Sequence, residues 1–283
     1  MKLNTIIALT YLKKLLPIVF LLLFQTTVAQ KTTVTPFTIG ETLTFNSKVL
    51  SEERKLNVYL PLSYKDSVHK NYPVIYLLDG SADEDFIHIA GLVQFGSFPW
   101  INMIPESIVV GIANVDRKRD FTFPSNNELD QTEFPTSGAS ANFIRFLTKE
   151  VAEIIQEQYR ISEESTLIGQ SLGGLLATEI LYTSPNSFDN YIIISPSLWW
   201  DDQSLLQRQT PKLTPPKKVY VAVGNEGPTM EATAMELIAK LQRLRKRETE
   251  NTLIIRYDII KEGNHANILH NAVYRALLHF NEN

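Results

Sequence analysis

The sequence predicts an α/β fold: a mostly parallel central sheet with helices on both faces, opened by an antiparallel hairpin. Three observations carry this. Short, unbroken apolar runs recur at 73–78, 108–112, 191–194 and 219–223, the pattern of strands buried on both faces. Segments with apolar residues at helical spacing lie between and after them. The strict alternation of the two requires crossover connections, hence parallel strands.

The elements follow in order. Residues 38–50 alternate as an edge strand, Ser51-Glu52-Glu53 turns, and Leu56-Val58-Leu60 alternates as the partner up to Pro61. The run 73–78 ends at Asp79-Gly80-Ser81. An acidic cluster, Asp83-Glu84-Asp85, then leads into a helix carrying His88. After 108–112, residues 139–159 place Phe143, Phe146, Leu147, Val151, Ile154 and Ile155 on one helix face. A short strand at 165–168 is followed at once by an apolar helix with Leu172, Leu175, Leu176, Ile180 and Leu181. Strands at 191–194 and 219–223, a helix at 230–247, a strand at 253–257 and a closing helix at 268–280 complete the series. The closing helix turns Leu269, Val273, Ala276, Leu277 and Phe280 inward. The stretches 113–138 and 197–217 read as irregular. Both follow the carboxyl ends of strands, where such folds carry their sites.

The beginning of the chain reads as a targeting segment. Lys2, Lys13 and Lys14 precede an apolar run at 15–24, and Thr27-Val28-Ala29 offers small residues for cleavage. This is the three-part pattern of a secretory signal peptide, and the run is too short to span a bilayer. The expected organisation is a signal peptide at 1–29 and one domain at 30–283, exported to the periplasm or the medium, with no stable membrane insertion after cleavage. Without the three lysines, 24 basic side chains face 31 acidic ones, a formal charge near −7, which disfavours nucleic acid as a partner. The chain has no cysteine, so disulfides, thiolate metal sites and cysteine nucleophiles are excluded. No glycine-rich dinucleotide or phosphate loop and no zinc-protease pattern occurs, so no cofactor and no metal are expected. Oligomeric state is open.

Chemistry concentrates at Gly169-Gln170-Ser171-Leu172-Gly173-Gly174. Gly-x-Ser-x-Gly between a strand and a helix is a nucleophile elbow: the sharp turn strains the serine backbone and exposes its hydroxyl. Glycines at 169 and 173 are expected because a Cβ there would meet the neighbouring strand and helix. A serine hydroxyl needs a base, and the base an orienting carboxylate. Of five histidines, His69 lies at the wrong end of the sheet, His88 on a helix, and His270 and His279 within the last helix. His265 alone lies in a polar loop between the last strand and the last helix. Glu226, in Gly224-Asn225-Glu226-Gly227 after the 219–223 strand, is the first choice of acid; Asp201, Asp202 and Asp258 compete. An oxyanion needs two backbone N–H groups: Leu172 and one of Gly80 or Ser81, with Asp79 anchoring their loop.

With Ser171, Glu226 and His265 in that order, the chain resembles the esterase D-like family of α/β-hydrolases over nearly all of residues 30–283. Further echoes are Tyr76-Leu77-Leu78-Asp79-Gly80, Pro105-Glu106-Ser107-Ile108-Val109-Val110-Gly111-Ile112, Asp116-Arg117-Lys118-Arg119-Asp120-Phe121-Thr122 and Ser195-Pro196-Ser197-Leu198-Trp199-Trp200-Asp201. The last two look closest to the siderophore trilactone esterases. The resemblance implies the α/β-hydrolase fold, hydrolysis of a small-molecule carboxylic ester through an acyl-enzyme, and no cofactor. Some members of that branch run on a serine–histidine dyad, which leaves the role of Glu226 open. A carbohydrate acyl esterase (feruloyl or acetyl), an acyltransferase, and a binding protein without activity are the alternatives. Trp199, Trp200, Phe98 and Trp100 could form aromatic walls or simply pack in the core. Arg117 and Arg119 could meet an anionic ligand such as a catecholate or carboxylate; equally, Arg119 and Asp120 could only pin the long loop by a salt bridge. The cationic run Lys240, Arg243, Arg245, Lys246 and Arg247 reads as a solvated helix end.

Overall fold

The structure, a computed structural model, describes residues 31–209, 217–247 and 253–281, together with Lys13 and Leu213. The expected signal peptide and its cleavage site lie outside the described residues, Lys13 excepted. By its contacts the chain divides into Met1–Thr38 and Ile39–Asn283. In the first unit, residues 31–38 form no regular element and are exposed.

The second unit holds one eight-stranded sheet: β1 (Glu41–Ser47), β2 (Glu52–Tyr59), β3 (Tyr72–Leu77), β4 (Ile108–Ile112), β5 (Ile161–Gln170), β6 (Asn190–Ile194), β7 (Lys217–Gly224) and β8 (Leu253–Ile260). Their spatial order is β1-β2-β4-β3-β5-β6-β7-β8. The pairs β1–β2 and β2–β4 are antiparallel; every other neighbour is parallel. This is the α/β-hydrolase arrangement expected from the sequence, hairpin included. The helices are α1 (Phe86–Gly96), α2 (Arg117–Phe121), α3 (Glu128–Glu133), α4 in three consecutive parts (Ser140–Arg145, Phe146–Val151 and Ala152–Gln158), α5 (Leu172–Thr183), α6 (Trp200–Gln207), α7 (Pro228–Arg247) and α8 (Leu269–Asn281).

Strand side chains alternate between two cores. One face of the sheet, with Val74, Tyr76, Leu167, Tyr191, Ile193 and Val221, packs under α4, α5 and α7. The other, with Ile75, Leu77, Ile168, Ile192 and Ala222, packs under α1 and α8. Burying both faces explains the unbroken apolar runs of the central strands.

The structure differs from the sequence reading in three places. Strand β5 begins four residues earlier than its apolar run, because Ile161 pairs with Tyr72 across a register shift while Glu163 and Glu164 stay exposed. The middle of α4, Phe146–Val151, winds as a π-helix, and Thr148 bonds back to the Ile144 carbonyl there. The stretches read as irregular hold the short helices α2, α3 and α6. The first two are capped by Asp116 and Asn127, whose side chains accept from the Arg119 amide and from the Leu129 and Asp130 amides. Five to eight residues are too few to show a helical period.

Candidate active site

Ser171 sits alone between the end of β5 and the start of α5, with φ 60° and ψ −121°, a conformation that side chains rarely adopt. Two glycines make room for it. A Cβ at Gly169 would lie 2.3 Å from the Gly173 carbonyl oxygen, and one at Gly174 would lie 2.9 Å from both the Ile194 oxygen and the Pro196 Cα. Gly173 is less constrained than expected, since a Cβ there would meet nothing nearer than Asp79 Oδ2 at 3.3 Å. The backbone is further held by the Ser171 amide on the Ile194 carbonyl, at 3.0 Å.

The turn brings Ser171 Oγ to 3.0 Å from His265 Nε2. The other ring nitrogen, Nδ1, lies 2.5 Å from Glu226 Oε2. These side chains come from the carboxyl ends of β5, β8 and β7. His265 is half exposed, whereas the Glu226 side chain is only 2% exposed. The base loop is fixed on both sides: Gln170 Nε2 donates to the His265 carbonyl, and the Asn225 amide donates to the Gly263 carbonyl. The acid loop is fixed by Glu231 of α7, whose carboxylate accepts from the amides of Glu226 and Gly227. Burial pushes the Glu226 carboxyl up. Hydrogen bonds from His265, Ser195 and the Gly224 amide outweigh it and hold the group below its ordinary pKa, so it is ionised beside the imidazole. A serine, an imidazole and an ionised carboxylate in this sequence can move a proton from the hydroxyl to the ring and stabilise the charge formed there.

The competing acids lie elsewhere. Asp201 accepts from the Asn126 amide, Asp202 from Asn127 Nδ2, and Asp258 from the Tyr220 hydroxyl. His279 lies against Asp258, and His88 faces His270 with ring centres 6.0 Å apart.

The Leu172 amide opens α5, where no intrahelical carbonyl reaches it. The two choices for the second oxyanion donor separate. The Gly80 amide is engaged by the Ile112 carbonyl at 3.0 Å, because the β3 end packs hard against β4: a Cβ on Gly80 would lie 2.3 Å from Gly111 Cα. Gly80 is thereby removed as a donor. The Ser81 amide makes only a long contact, 3.4 Å, to Glu84 Oε2.

Two hollows meet at Ser171 and His265. One, of about 480 Å³, is bounded by Ser197, Trp199, Asn225, Met230 and Asn264. The other, of about 410 Å³, is bounded by Asp79, Glu84, Asp85, Arg117 and Gln170. Trp199 therefore borders the first hollow. Trp200 does not: it is fully buried, with its indole N–H on the Phe123 carbonyl at 2.9 Å. Arg119 is also corrected. Its guanidinium is engaged by Glu52 at 2.6 Å and Asp120 at 2.8 Å and lines neither hollow. Arg117 borders the second hollow but holds Asp79 through two bonds, 2.6 and 2.9 Å. Phe98 and Trp100 stack on each other with centroids 4.7 Å apart, away from both hollows. Gln170, Ser195 and Glu231 carried no assignment from sequence. Only Gln170, adjacent to the nucleophile, and Ser195, within a signature string, gave any signal.

Comparison with known proteins places this geometry. Residues 47–267 match the model of the family described as "Putative esterase". The ferri-bacillibactin esterase BesA of Bacillus subtilis (strain 168) is 29% identical over 207 residues, 66% of this chain and 71% of that protein. A siderophore enterobactin esterase of Emericella nidulans is 39% identical over 169 residues, 54% of this chain and 56% of that protein. Among solved structures, an IroE-like serine hydrolase from Shewanella oneidensis superposes with a TM-score of 0.76 at 28% identity, covering 85% of this chain and 79% of that one.

Proposed function

We propose a mechanism for a chain that belongs to the "Putative esterase" family and is a carboxylic ester hydrolase: it is a serine esterase working through a triad and an acyl-enzyme. Ser171 Oγ attacks the ester carbonyl as His265 Nε2 takes its proton. Glu226 holds Nδ1–H and balances the imidazolium. The Leu172 and Ser81 amides receive the oxyanion, and substrate displaces the long Glu84 contact at Ser81. His265 returns the proton to the leaving alcohol, and water activated by the same imidazole resolves the acyl-enzyme. One observation carries this reading: the unbroken run from Ser171 Oγ through His265, 3.0 Å, to Glu226, 2.5 Å. Two hollows that both border Ser171 and His265 suit the acyl and alcohol halves of an ester.

The substrate of this reading is a siderophore trilactone ester. Its support is the pair of relatives named for siderophore esters, together with the Ser195-Pro196-Ser197-Leu198-Trp199-Trp200 string by which this chain resembles that branch. The site is exported: the charged, apolar and small-residue segments before Gln30 support cleavage after Ala29, leaving one domain from residue 30. Among the described residues no helix is long and apolar enough to cross a membrane. The test is an ester panel assayed on the protein starting at Gln30. It includes a ferric trilactone siderophore, a feruloyl sugar and an acetyl sugar, each with and without added alcohol. Preferred hydrolysis of the trilactone supports the reading. Preference for the sugar esters, or transfer to the alcohol, replaces it.

A further inference from the structure

We propose that Ser195 is a positioning residue for this reaction: its hydroxyl fixes the Glu226 carboxylate in the rotation that presents Oε2 to His265. The proposal rests on the Ser171–His265–Glu226 reading. Ser195 directly follows β6, the strand between the nucleophile strand β5 and the acid strand β7. Its Oγ donates a hydrogen bond to Glu226 Oε1, and the Gly224 amide donates to the same oxygen at 2.9 Å. With Oε1 held twice, Oε2 is left for the imidazole. A carboxylate with one oxygen free would rotate about its last torsion and share its charge between orientations.

The backbone at Ser195 argues that the hydroxyl has a use. Its φ is +42°, in the left-handed region that glycine adopts without cost and serine does not. Serine is nevertheless present, fully buried, and its side chain reaches the acid. The surrounding segment joins both halves of the site. Ile194 accepts from the Ser171 amide, the Ser195 amide donates to Ala222 of β7, and the Ser197 amide donates to the Ser171 carbonyl. Gly174 of α5 admits Pro196, since a Cβ there would lie 2.9 Å from Pro196 Cα. One tight turn thus sets the nucleophile and the acid against each other, and Ser195 Oγ is its contact with the acid.

Ser195→Gly and Ser195→Ala test this, each alone and combined with Glu226→Ala, with kcat and KM measured on a small aryl ester and Tm measured alongside. Glycine relieves the strained φ, so folding is preserved even if alanine is not tolerated. The expected result is a kcat about 10- to 100-fold lower, with KM within about twofold and the Ser195→Gly midpoint within a few degrees of wild type. In the Glu226→Ala background the same substitution changes kcat by less than about threefold, because nothing remains to be positioned. An unchanged kcat in Ser195→Gly while Glu226→Ala is slow overturns the proposal alone. So does a Ser195 effect that persists at full size without Glu226. If Glu226→Ala itself leaves kcat unchanged, the triad reading falls and this proposal with it.

Discussion

The two sides of Ser171 use polar side chains differently. On one side, the loops after β6, β7 and β8 converge on a single carboxylate: Ser195 and the Gly224 amide hold one oxygen of Glu226 and His265 meets the other. On the other side, the loops after β3 and β4 carry more charge: Glu84, Asp85 and Arg117 border the second hollow, but the arginines are engaged by carboxylates. Arg117 clamps Asp79, while Arg119 and the buried Arg54 share Glu52 and Asp120. The first side is organised around the Ser171 hydroxyl and the His265 imidazole. The second builds the wall beside it. Abundant charge near a site is therefore not the same as charge available to a ligand.

Substitutions can break this contrast, beginning with the largest effect. Ser171→Ala should lower kcat for an aryl ester by about 10⁴-fold or more with the thermal midpoint nearly unchanged; turnover near wild type would remove the nucleophile. Glu226→Gln should lower kcat by about 10²–10⁴-fold, since the imidazole loses its orienting acceptor. A negligible effect would mean a serine–histidine dyad.

The wall should behave in the opposite way. Asp120→Asn takes from the buried Arg54 its charged partner at 2.7 Å, leaving Glu52 at 3.0 Å, and should cost about 1–3 kcal/mol of stability, read by denaturant unfolding, with kcat/KM close to wild type in the folded fraction. Arg119→Gln, at a partly exposed pair, should cost about 1 kcal/mol and leave KM for an anionic ester within about twofold. A large rise in KM would instead make Arg119 a ligand contact and dissolve the distinction.

The smallest effect is a pH dependence. Burial raises the Glu52 carboxyl, but the bonds from Arg119 and Arg54 outweigh it and hold its pKa below the ordinary 4.5. The unfolded chain therefore binds a proton first. The stabilisation is complete above the unfolded value and is lost as pH falls from about 4.5 through the lower folded value. Melting curves between pH 7 and 3 should show the midpoint falling at the acid end. Glu52→Gln should lower the midpoint at neutral pH and flatten that fall.

The same contrast governs what the sequence disclosed. Ser171, Glu226 and His265 each lie within a few residues of a strand's carboxyl end, so locating the strands located them, and the Gly-x-Ser-x-Gly turn marked which end mattered. The sheet was legible because its central strands are apolar on both faces. Arg119 was legible only in its salt bridge to the adjacent Asp120 and Trp200 not beyond a choice between wall and core, because their partners Glu52 and Phe123 lie 67 and 77 residues away and no local pattern reports such pairings. Gly80 looked equal to Ser81 until β4 was placed beside it and Ile112 took its amide. Ser195 lay in a recognisable string, but its role follows from a positive φ and a neighbouring strand, neither of which a one-dimensional pattern contains.

In the proposed mechanism the hydroxyl of Ser171 becomes covalently acylated with His265 as its base. The direct measurement is mass spectrometry of the protein after rapid quench from an activated aryl ester, in wild type, Ser171→Ala and His265→Ala. One acyl adduct is expected on the peptide containing Ser171, absent in Ser171→Ala and formed far more slowly in His265→Ala. Steady ester turnover with no adduct at residue 171, or unchanged acylation without the imidazole, would contradict it.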